Sequence, residues 1–515
     1  MDKDKLLQSG ISSRAILDFY KRFEEIGGEN HGLIITVNGE RVYEEYCYPY
    51  GKDTPQNMFS CTKTLVSLAV GFAIEDGLLS LDTKIYPYFK DYPHKPNKAI
   101  EELTVEDLLK MNSGKKFSFL QDMTADHAAL FMKAGFASKK AFKYSNNDSH
   151  IIAALVTKVV GKPLDDYLDE KLFKPLSIKK PFWDKNALGV CVGGSGAFMT
   201  CSDLATIGEC VAAGGMKNGV QIIPRDYLEK ATKKQITPSK TYHADGFGYY
   251  FWQDGETYRL EGLFGQFSVV IPEKNTVVTV TSMHPSDNLI AVTIQDVLVK
   301  NLFNESQDFD ALDAYLIERD RKLRAISRPI DVSVVKNAVG EYKRKGKISS
   351  ITKAFTGFTN GLIANSIHSS YPSRPSDSID DLRFNFTEEE VEISWREGEV
   401  NVKFSSGLDG KPRVTPIKYL QWTYDVWSYS YFEKGKLHVV TRPLNTISTK
   451  EFIFSFRGNT VKMTTKTLPD FVVFCGYNSV AGGTIPSLPV VTPILVSFVK
   501  AACSITKIPV KIKKK

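Results

Sequence analysis

Hydrophobic and polar residues alternate in two blocks of the chain and recur at helical spacing between them. The first block is GLIITVNGERVYEEYCYPYG at 32–51, where two alternating runs flank Asn38-Gly39, a dipeptide that favours a tight hairpin. Helical spacing follows, and Leu65, Leu68, Ala69, Phe72 and Ala73 predict a buried helix over 60–76. LTVEDLLKMNSGK predicts a short helix opened by Thr104 and closed near Ser113-Gly114. NNDSHIIAALVTKVVGKPLDDYLDEKLFKPL predicts two helices, the first ended by Gly161. Alternation returns in SVVIPEKNTVVTVTSM at 268–283, read as two strands joined at Glu273–Asn275. Strands first, helices in the middle and strands again at the end describe an α+β fold with helices packed on an antiparallel sheet.

A charged helical stretch, ALDAYLIERDRKLRAI, closes this region, and the periodicity then changes. Short alternating runs such as VEISWREGEVNVKFSSG, SYSYFEKGKLHVVTR and KEFIFSFRGNTVKMTTK are separated by Gly, Asp and Asn turns. They predict an all-β domain, lipocalin-like or a sandwich. A chain of 515 residues also exceeds what one hydrophobic core normally supports. The expected division is 1–310 for the α+β domain, 311–330 for a helical linker, 331–485 for the β domain and 486–515 for a C-terminal tail. The apolar run of that tail is broken by Pro493 and Lys500 and falls short of a transmembrane helix. Its closing lysines leave peripheral membrane contact as the lesser reading, behind a packed terminal segment with a solvated end.

Composition narrows the partners. With 42% hydrophobic and 24% charged residues the chain reads as globular. A net charge of +7, with Lys and Arg dispersed among acids, argues against a nucleic-acid surface. The start, MDKDKLLQSGISS, lacks the apolar core of a secretory signal. The seven cysteines are scattered with no Cys-x-x-Cys pair, which suits a reducing compartment, so a cytoplasmic protein is expected. The eight histidines show no His-Glu-x-x-His and no Cys/His ligand spacing, so neither metal nor cofactor is expected. VGGSGAF follows no nucleotide fingerprint and reads as a tight loop lining a cleft. Oligomeric state is left open.

The candidate chemistry begins at FSCTKTLVSLAVGFAIEDGLLSLD, residues 59–82. Seven serines have a lysine three residues on (Ser60, Ser113, Ser177, Ser333, Ser350, Ser497 and Ser504), so the spacing alone selects nothing. Ser60 differs because it opens a strongly apolar helix, where the positive end of the helix dipole favours a developing oxyanion. Lys63 projects from the same face, and acts as a base only if its surroundings lower its pKa. The plain alternative is a capping serine beside a solvated lysine. In KYSNNDSH, Tyr144 and Asn146 precede another apolar helix. A tyrosine near a lysine ammonium can be held partly as phenolate and shuttle protons, while Asn146 could donate to a substrate carbonyl and cap the helix. The alternative there is an ordinary N-cap. In LEGLFGQFSVVIP, Gly262 and Gly265 allow close approach, and the N–H of Leu263 could join that of Ser60 as an oxyanion hole. The alternative is a bend in an edge strand.

Taken in order, these three motifs resemble the serine β-lactamase and penicillin-binding protein superfamily. LTVEDLLKMNSG, the helix-rich stretch from Tyr144 and VGGSGAFMTCSDLATIGECVAAGGMKNGVQIIP extend the likeness over roughly 15–300. The chain is most similar to the class C-type branch of esterases, D-amino-peptidases and 6-aminohexanoate-dimer hydrolases. The resemblance implies a β-lactamase/transpeptidase-like fold and an acyl-enzyme on Ser60. Lys63 would take the serine proton, Tyr144 would activate water for deacylation, Asn146 would position substrate, and Leu263 would complete the oxyanion hole. One departure matters: where many members carry Lys-Thr-Gly or His-x-Gly, this chain has Glu261-Gly262-Leu263. The missing cation normally meets a substrate carboxylate, and Arg259 is a weak substitute. The expectation is therefore a serine hydrolase acting on a small-molecule amide or ester other than a β-lactam. A non-catalytic scaffold is the rival, because Glu261 near Lys63 would hold the amine protonated. A β-lactamase or D-Ala-D-Ala peptidase is the third reading.

Overall fold

The computed structural model describes residues 2–92, 98–115 and 141–325 apart from 187 and 241; residues 340–344, 379–468 apart from 398–399 and 420–421, and 510–514; and singly Ala128, Phe131, Met132, Phe136 and Leu362. The chain forms two compact units that divide between Ile317 and Glu318.

In the first unit, helix α1 (Ser13–Glu25) leads into the hairpin of β1 (Glu29–Val37) and β2 (Glu40–Tyr46). The hairpin turns at Asn38 and Gly39, both left-handed in φ (51° and 80°), as an Asn-Gly turn requires. Five strands from the far end of the unit complete the sheet: β3 (Gly246–Phe247), β4 (Trp252–Asp254), β5 (Thr257–Gly262), β6 (Gln266–Ile271) and β7 (Thr276–Met283). Their order is β2-β1-β7-β6-β5-β4-β3, antiparallel throughout. Side chains alternate across a strand, so each face builds its own core. Leu33, Ile35, Phe267, Val269, Val278 and Val280 pack on Phe19, Tyr20 and Phe23 of α1 and on Ile290, Ile294 and Leu298. Leu260, Val270 and Val277 face the other way, toward α2 (Cys61–Glu75) and α3 (Asn146–Val160). The antiparallel sheet with helices packed on its faces that the sequence predicts is what this unit has.

Helix α2 is enclosed on all sides, and every residue from Cys61 to Ala73 is buried. Its polar groups therefore need internal partners. Thr62 Oγ1 accepts from the N–H of Ala197, Thr64 Oγ1 donates to the carbonyl of Tyr250, and Ser67 meets the hydroxyl of Tyr227 at 2.8 Å. Two boundaries differ from expectation. The helix after Thr104 covers only Val105–Leu109 and stops before Ser113-Gly114, because Lys110 leaves helical geometry and Met111 turns left-handed at φ 54°. The second helix beyond Gly161 spans only Leu164–Leu168 before widening into a π-turn at Asp169–Phe173. Gly161 itself closes α3 at φ 74°, as read from the sequence.

The charged helix α4 (Phe309–Arg324) runs across the division between the units, where a linker was expected at 311–330. The second unit is all-β. Ten strands form one sheet with Val400–Gly407 at one end and Arg413–Tyr419 at the other, and a bridge from Gly407 to Tyr429 nearly closes it into a barrel. Residues 510–514, expected to belong to a tail, instead form a strand paired with both Gly340–Arg344 and Thr460–Leu468. Alternating Val and Ile positions in VKIKK make this segment a strand rather than a solvated end. Pro493, Lys500 and the apolar run around them lie outside the described residues. Among the described residues no helix is long and apolar enough to cross a membrane. Cys47, Cys61, Cys191, Cys201 and Cys210 are free and buried, while Cys475 and Cys503 lie outside the described residues.

Candidate active site

Ser60 sits on a turn held from both sides. The N–H of Met58 donates to the carbonyl of Ala197 at 2.9 Å, and the N–H of Phe59 donates to Asn57 Oδ1 at 2.7 Å. Phe59 carries φ 45°, a conformation disfavoured for a residue with a bulky side chain. The strain turns the chain so that Ser60 enters α2 already helical, with no capping bond from its side chain. The capping alternative is thus not what the hydroxyl does. It is partly exposed and hydrogen-bonded to Lys63 at 2.8 Å.

Lys63 is 1% exposed. Its Nζ lies 2.8 Å from Ser60 Oγ, 2.7 Å from Asn146 Oδ1 and 2.6 Å from the carbonyl oxygen of Gly194. Two of these partners, the amide oxygen and the carbonyl, can only accept. A neutral amine has two N–H groups and one lone pair, so this geometry accommodates it with both N–H groups on the obligate acceptors and the lone pair on the serine hydroxyl. The protonated form fits as well, donating to all three. The Ser60–Lys63 bond is the one that reverses direction between the two states.

Tyr144 closes the group. Its ring centroid is 4.8 Å from Lys63 Nζ, so the lysine lies against the ring as well as beside the serine. Burial, opposed by the Ser60 hydrogen bond and reinforced by the charge of Glu261, raises the Tyr144 pKa well above its ordinary value. This direction favours the neutral phenol over the partial phenolate that a neighbouring lysine ammonium could hold. That burial comes from Trp252, stacked on Tyr144 at 5.6 Å, and from Tyr242, Phe142 and Phe247 around it. Asn146 is the first residue of α3, and the cap expected of it is supplied by Ser145, whose hydroxyl accepts from the N–H of Asp148. Asn146 is thus free to turn its amide to Lys63.

The hairpin between β5 and β6 approaches the Ser60 turn directly. A Cβ at Gly262 would collide with the carbonyl of Met58 and lie 3.3 Å from the N–H nitrogen of Cys61, so only glycine permits this contact. The hairpin loop is Leu263, Phe264 (φ 65°) and Gly265 (φ 102°). The ring of Phe264 packs edge-on against that of Phe59 at 5.2 Å, so two strained residues hold each other in place. Cys61 Sγ donates to the carbonyl of Gln266 at 3.2 Å, a further tie between helix and hairpin. Among the described residues, no hydrogen bond uses the main-chain N–H of Ser60 or of Leu263. Glu261 is bound to Arg259, whose Nε donates to its Oε2 at 2.7 Å. Arg259 is 1% exposed and turned inward, so it does not stand in for an open cationic group.

Ser60, Lys63, Tyr144 and Asn146 thus come together in one group, and Gly262 brings Leu263 to its border. Four residues with a place in it were not singled out from the sequence: Gly194, Phe59, Phe264 and Trp252. The first lies within VGGSGAF, read only as a loop beside the cleft. Of the other serines with a lysine three residues on, Ser333, Ser350, Ser497 and Ser504 lie outside the described residues. Among the described residues no group of three His, Cys, Asp or Glu side chains is arranged to hold a metal ion.

Comparison with known proteins gives the family. A family model described as Beta-lactamase matches residues 23–294, more than half of the chain. The chain belongs to the beta-lactamase family. It is 24% identical over 186 residues to an N-acetylmuramyl-L-alanine amidase of Bacillus subtilis (strain 168), covering 30% of this chain and 42% of the amidase. The chain thus spans less than half the length of that relative. It is 24% identical over 322 residues to an uncharacterised protein of Alkalihalophilus pseudofirmus, covering 54% of this chain and 90% of the other. Among solved structures it is similar to the octameric penicillin-binding protein homologue from Pyrococcus abyssi, at 16% identity and a TM-score of 0.45 over 90% of this chain and 98% of that one.

Two outcomes follow for this beta-lactamase-family site. Gly262→Ala should force the β5–β6 hairpin off the Ser60 turn and slow the modification of Ser60 by a fluorophosphonate about 100-fold, the scale on which a misplacement of roughly 1 Å acts. An unchanged rate would show that the contact is not needed. Tyr144→Phe should remove no absorbance at 295 nm below pH 10, because the buried phenol keeps its proton there. Loss of a phenolate band near neutral pH would contradict this.

Proposed function

We propose that the chain is a serine hydrolase that cleaves an amide or ester through an acyl-enzyme on Ser60, with Lys63 and Tyr144 moving the protons. The observation that carries this reading is the pair of obligate acceptors on Lys63, Asn146 Oδ1 and the Gly194 carbonyl, which in the neutral amine would direct its lone pair to the serine hydroxyl. Membership of the beta-lactamase family supports it.

In acylation, neutral Lys63 takes the proton of Ser60 as Oγ attacks the substrate carbonyl carbon. The carbonyl oxygen becomes negative, and the N–H groups of Ser60 and Leu263 are free to receive it. The proton passes from Lys63 to the leaving nitrogen or oxygen through the hydroxyl of Tyr144, which gives its own proton and takes the lysine's. The acyl group remains on Ser60. In deacylation a water loses a proton to Tyr144 while the Tyr144 proton moves to Lys63. As the second tetrahedral intermediate collapses, Lys63 returns the proton to Ser60 Oγ. Tyr144 acts as a neutral relay in both halves, so no stable phenolate is needed and its raised pKa is no obstacle. Asn146 fixes Lys63 through its oxygen and leaves its amide nitrogen for the substrate.

The scaffold reading rested on Glu261 holding Lys63 protonated. Glu261 is ion-paired with Arg259, and Lys63 makes hydrogen bonds with Ser60, Asn146 and the Gly194 carbonyl. The hydrolase reading is therefore the one we hold. Because the residue before Gly262 is the carboxylate Glu261 and not a cation, the substrate class is one without a carboxylate to be recognised there, which disfavours β-lactams and D-Ala-D-Ala termini.

Labelling with a fluorophosphonate, followed by mass-spectrometric mapping, should find the adduct on Ser60. Ser60→Ala should abolish it and Lys63→Met should slow it by about 1,000-fold or more, as expected when a nucleophile loses its base. Labelling that survives in Ser60→Ala would sink the proposal.

A further inference from the structure

Glu261 is unusual in its setting. It immediately precedes Gly262, the residue in contact with the Ser60 turn. Its side chain is 18% exposed, while Arg259, two residues earlier on β5, is 1% exposed. Arg259 uses Nε on Glu261 Oε2 and Nη2 on the carbonyl of His243 at 2.6 Å, and its remaining Nη1 is buried. The guanidinium thus locks one carboxylate oxygen and offers no donor to solvent. The other oxygen, Oε1, has no partner among the described residues.

This carboxylate lies close to the reacting group. After burial, its charge is the principal influence that raises Tyr242 to about 12, and it also raises Tyr144 and Cys61. Strand β4 pairs with β5 only from Thr257 to Arg259, so Glu261 and Gly262 occupy an edge without a neighbouring strand on that side. The rings of Tyr242 and Trp252, 5.0 Å apart, stand in the same region, and Tyr242 is half-buried. An acceptor-only oxygen at a strand edge, two residues on from Arg259, which pairs across the sheet with Trp252, is a setting that attracts a cation and repels an anion.

We propose that Glu261 is a specificity group that binds an ammonium on the substrate and turns carboxylate-bearing substrates away. The proposal rests on the reading of Ser60 as the nucleophile. Arg259 is then a positioning residue that aims the carboxylate.

The test uses p-nitrophenyl esters of 3-aminopropanoic, butanoic and succinic acid, which carry a cation, no charge and an anion on similar chains, with the uncatalysed rate subtracted. The readout is the ratio of kcat/KM between esters for one enzyme, so overall activity divides out. The wild-type chain should prefer the ammonium ester over the neutral one by about tenfold, the scale of one charge-assisted hydrogen bond, and should disfavour the succinate ester. Glu261→Gln should bring the ammonium preference to within about twofold, and Glu261→Lys should reverse the order of the charged pair. If Glu261→Gln fails to fold because Arg259 is left as a buried unpaired charge, the double variant Arg259→Leu/Glu261→Gln, which removes both charges, serves in its place. Turnover with no charge preference, or a preference unaffected by these changes, overturns this proposal alone. No Ser60-dependent turnover of any ester overturns the reading of the site beneath it.

Discussion

A lysine enclosed in the middle of a protein must have each of its hydrogens accounted for, and at Lys63 that constraint organises everything nearby. Two of its hydrogen-bond partners are fixed acceptors on different segments, Asn146 at the start of α3 and Gly194 in the glycine-rich loop. The remaining direction points at Ser60, one helical turn back. Which of Ser60 and Lys63 holds the shared proton is therefore the one degree of freedom left in the group, and the proposed chemistry uses that freedom. Because Lys63 is itself buried, as α2 is from Cys61 to Ala73, solvent does not compete for the lysine.

The surrounding fold keeps these groups from drifting apart. The Ser60 turn, the β5–β6 hairpin and the loop before α3 come from three separate regions, and each is held by something rigid. Phe59 and Phe264 both occupy the left-handed region, and their packed rings stabilise the two strained turns against each other. Gly262 removes the one side chain that would stand between them. Trp252, Tyr242 and Phe247 pack their rings around Tyr144, and burial raises its pKa in the direction of the neutral phenol. This has a functional side: a phenol that exchanges one proton for another can serve both half-reactions without being charged in between.

Much of this architecture could be read from the residues, and the parts that could not are instructive. The hairpin at Asn38-Gly39, the buried helix after Ser60, the stop at Gly161 and the strand pair around Glu273–Asn275 all have local signals, because period and turn chemistry are short-range. Ser60, Lys63, Tyr144 and Asn146 were found through spacing and order, and they converge. The packing that bears on the charge state of Tyr144 comes from rings of β3 and β4, about 100 residues downstream, which no local pattern reveals. Gly194 was hidden because a carbonyl partner carries no side-chain signature. The capping role of Ser145 rather than Asn146 turned on a one-residue boundary, the least reliable feature of any sequence reading. The strand at 510–514 was masked by its lysines, although its alternating Val and Ile mark it in hindsight.

The most direct test is a crystal structure of the chain after reaction with a fluorophosphonate. The account predicts continuous density from Ser60 Oγ to phosphorus, a phosphoryl oxygen within hydrogen-bonding distance of the N–H groups of both Ser60 and Leu263, and Lys63 Nζ still on Asn146 Oδ1 and the Gly194 carbonyl. An adduct on any other residue, or one on Ser60 with Lys63 swung away from those two acceptors, would contradict it.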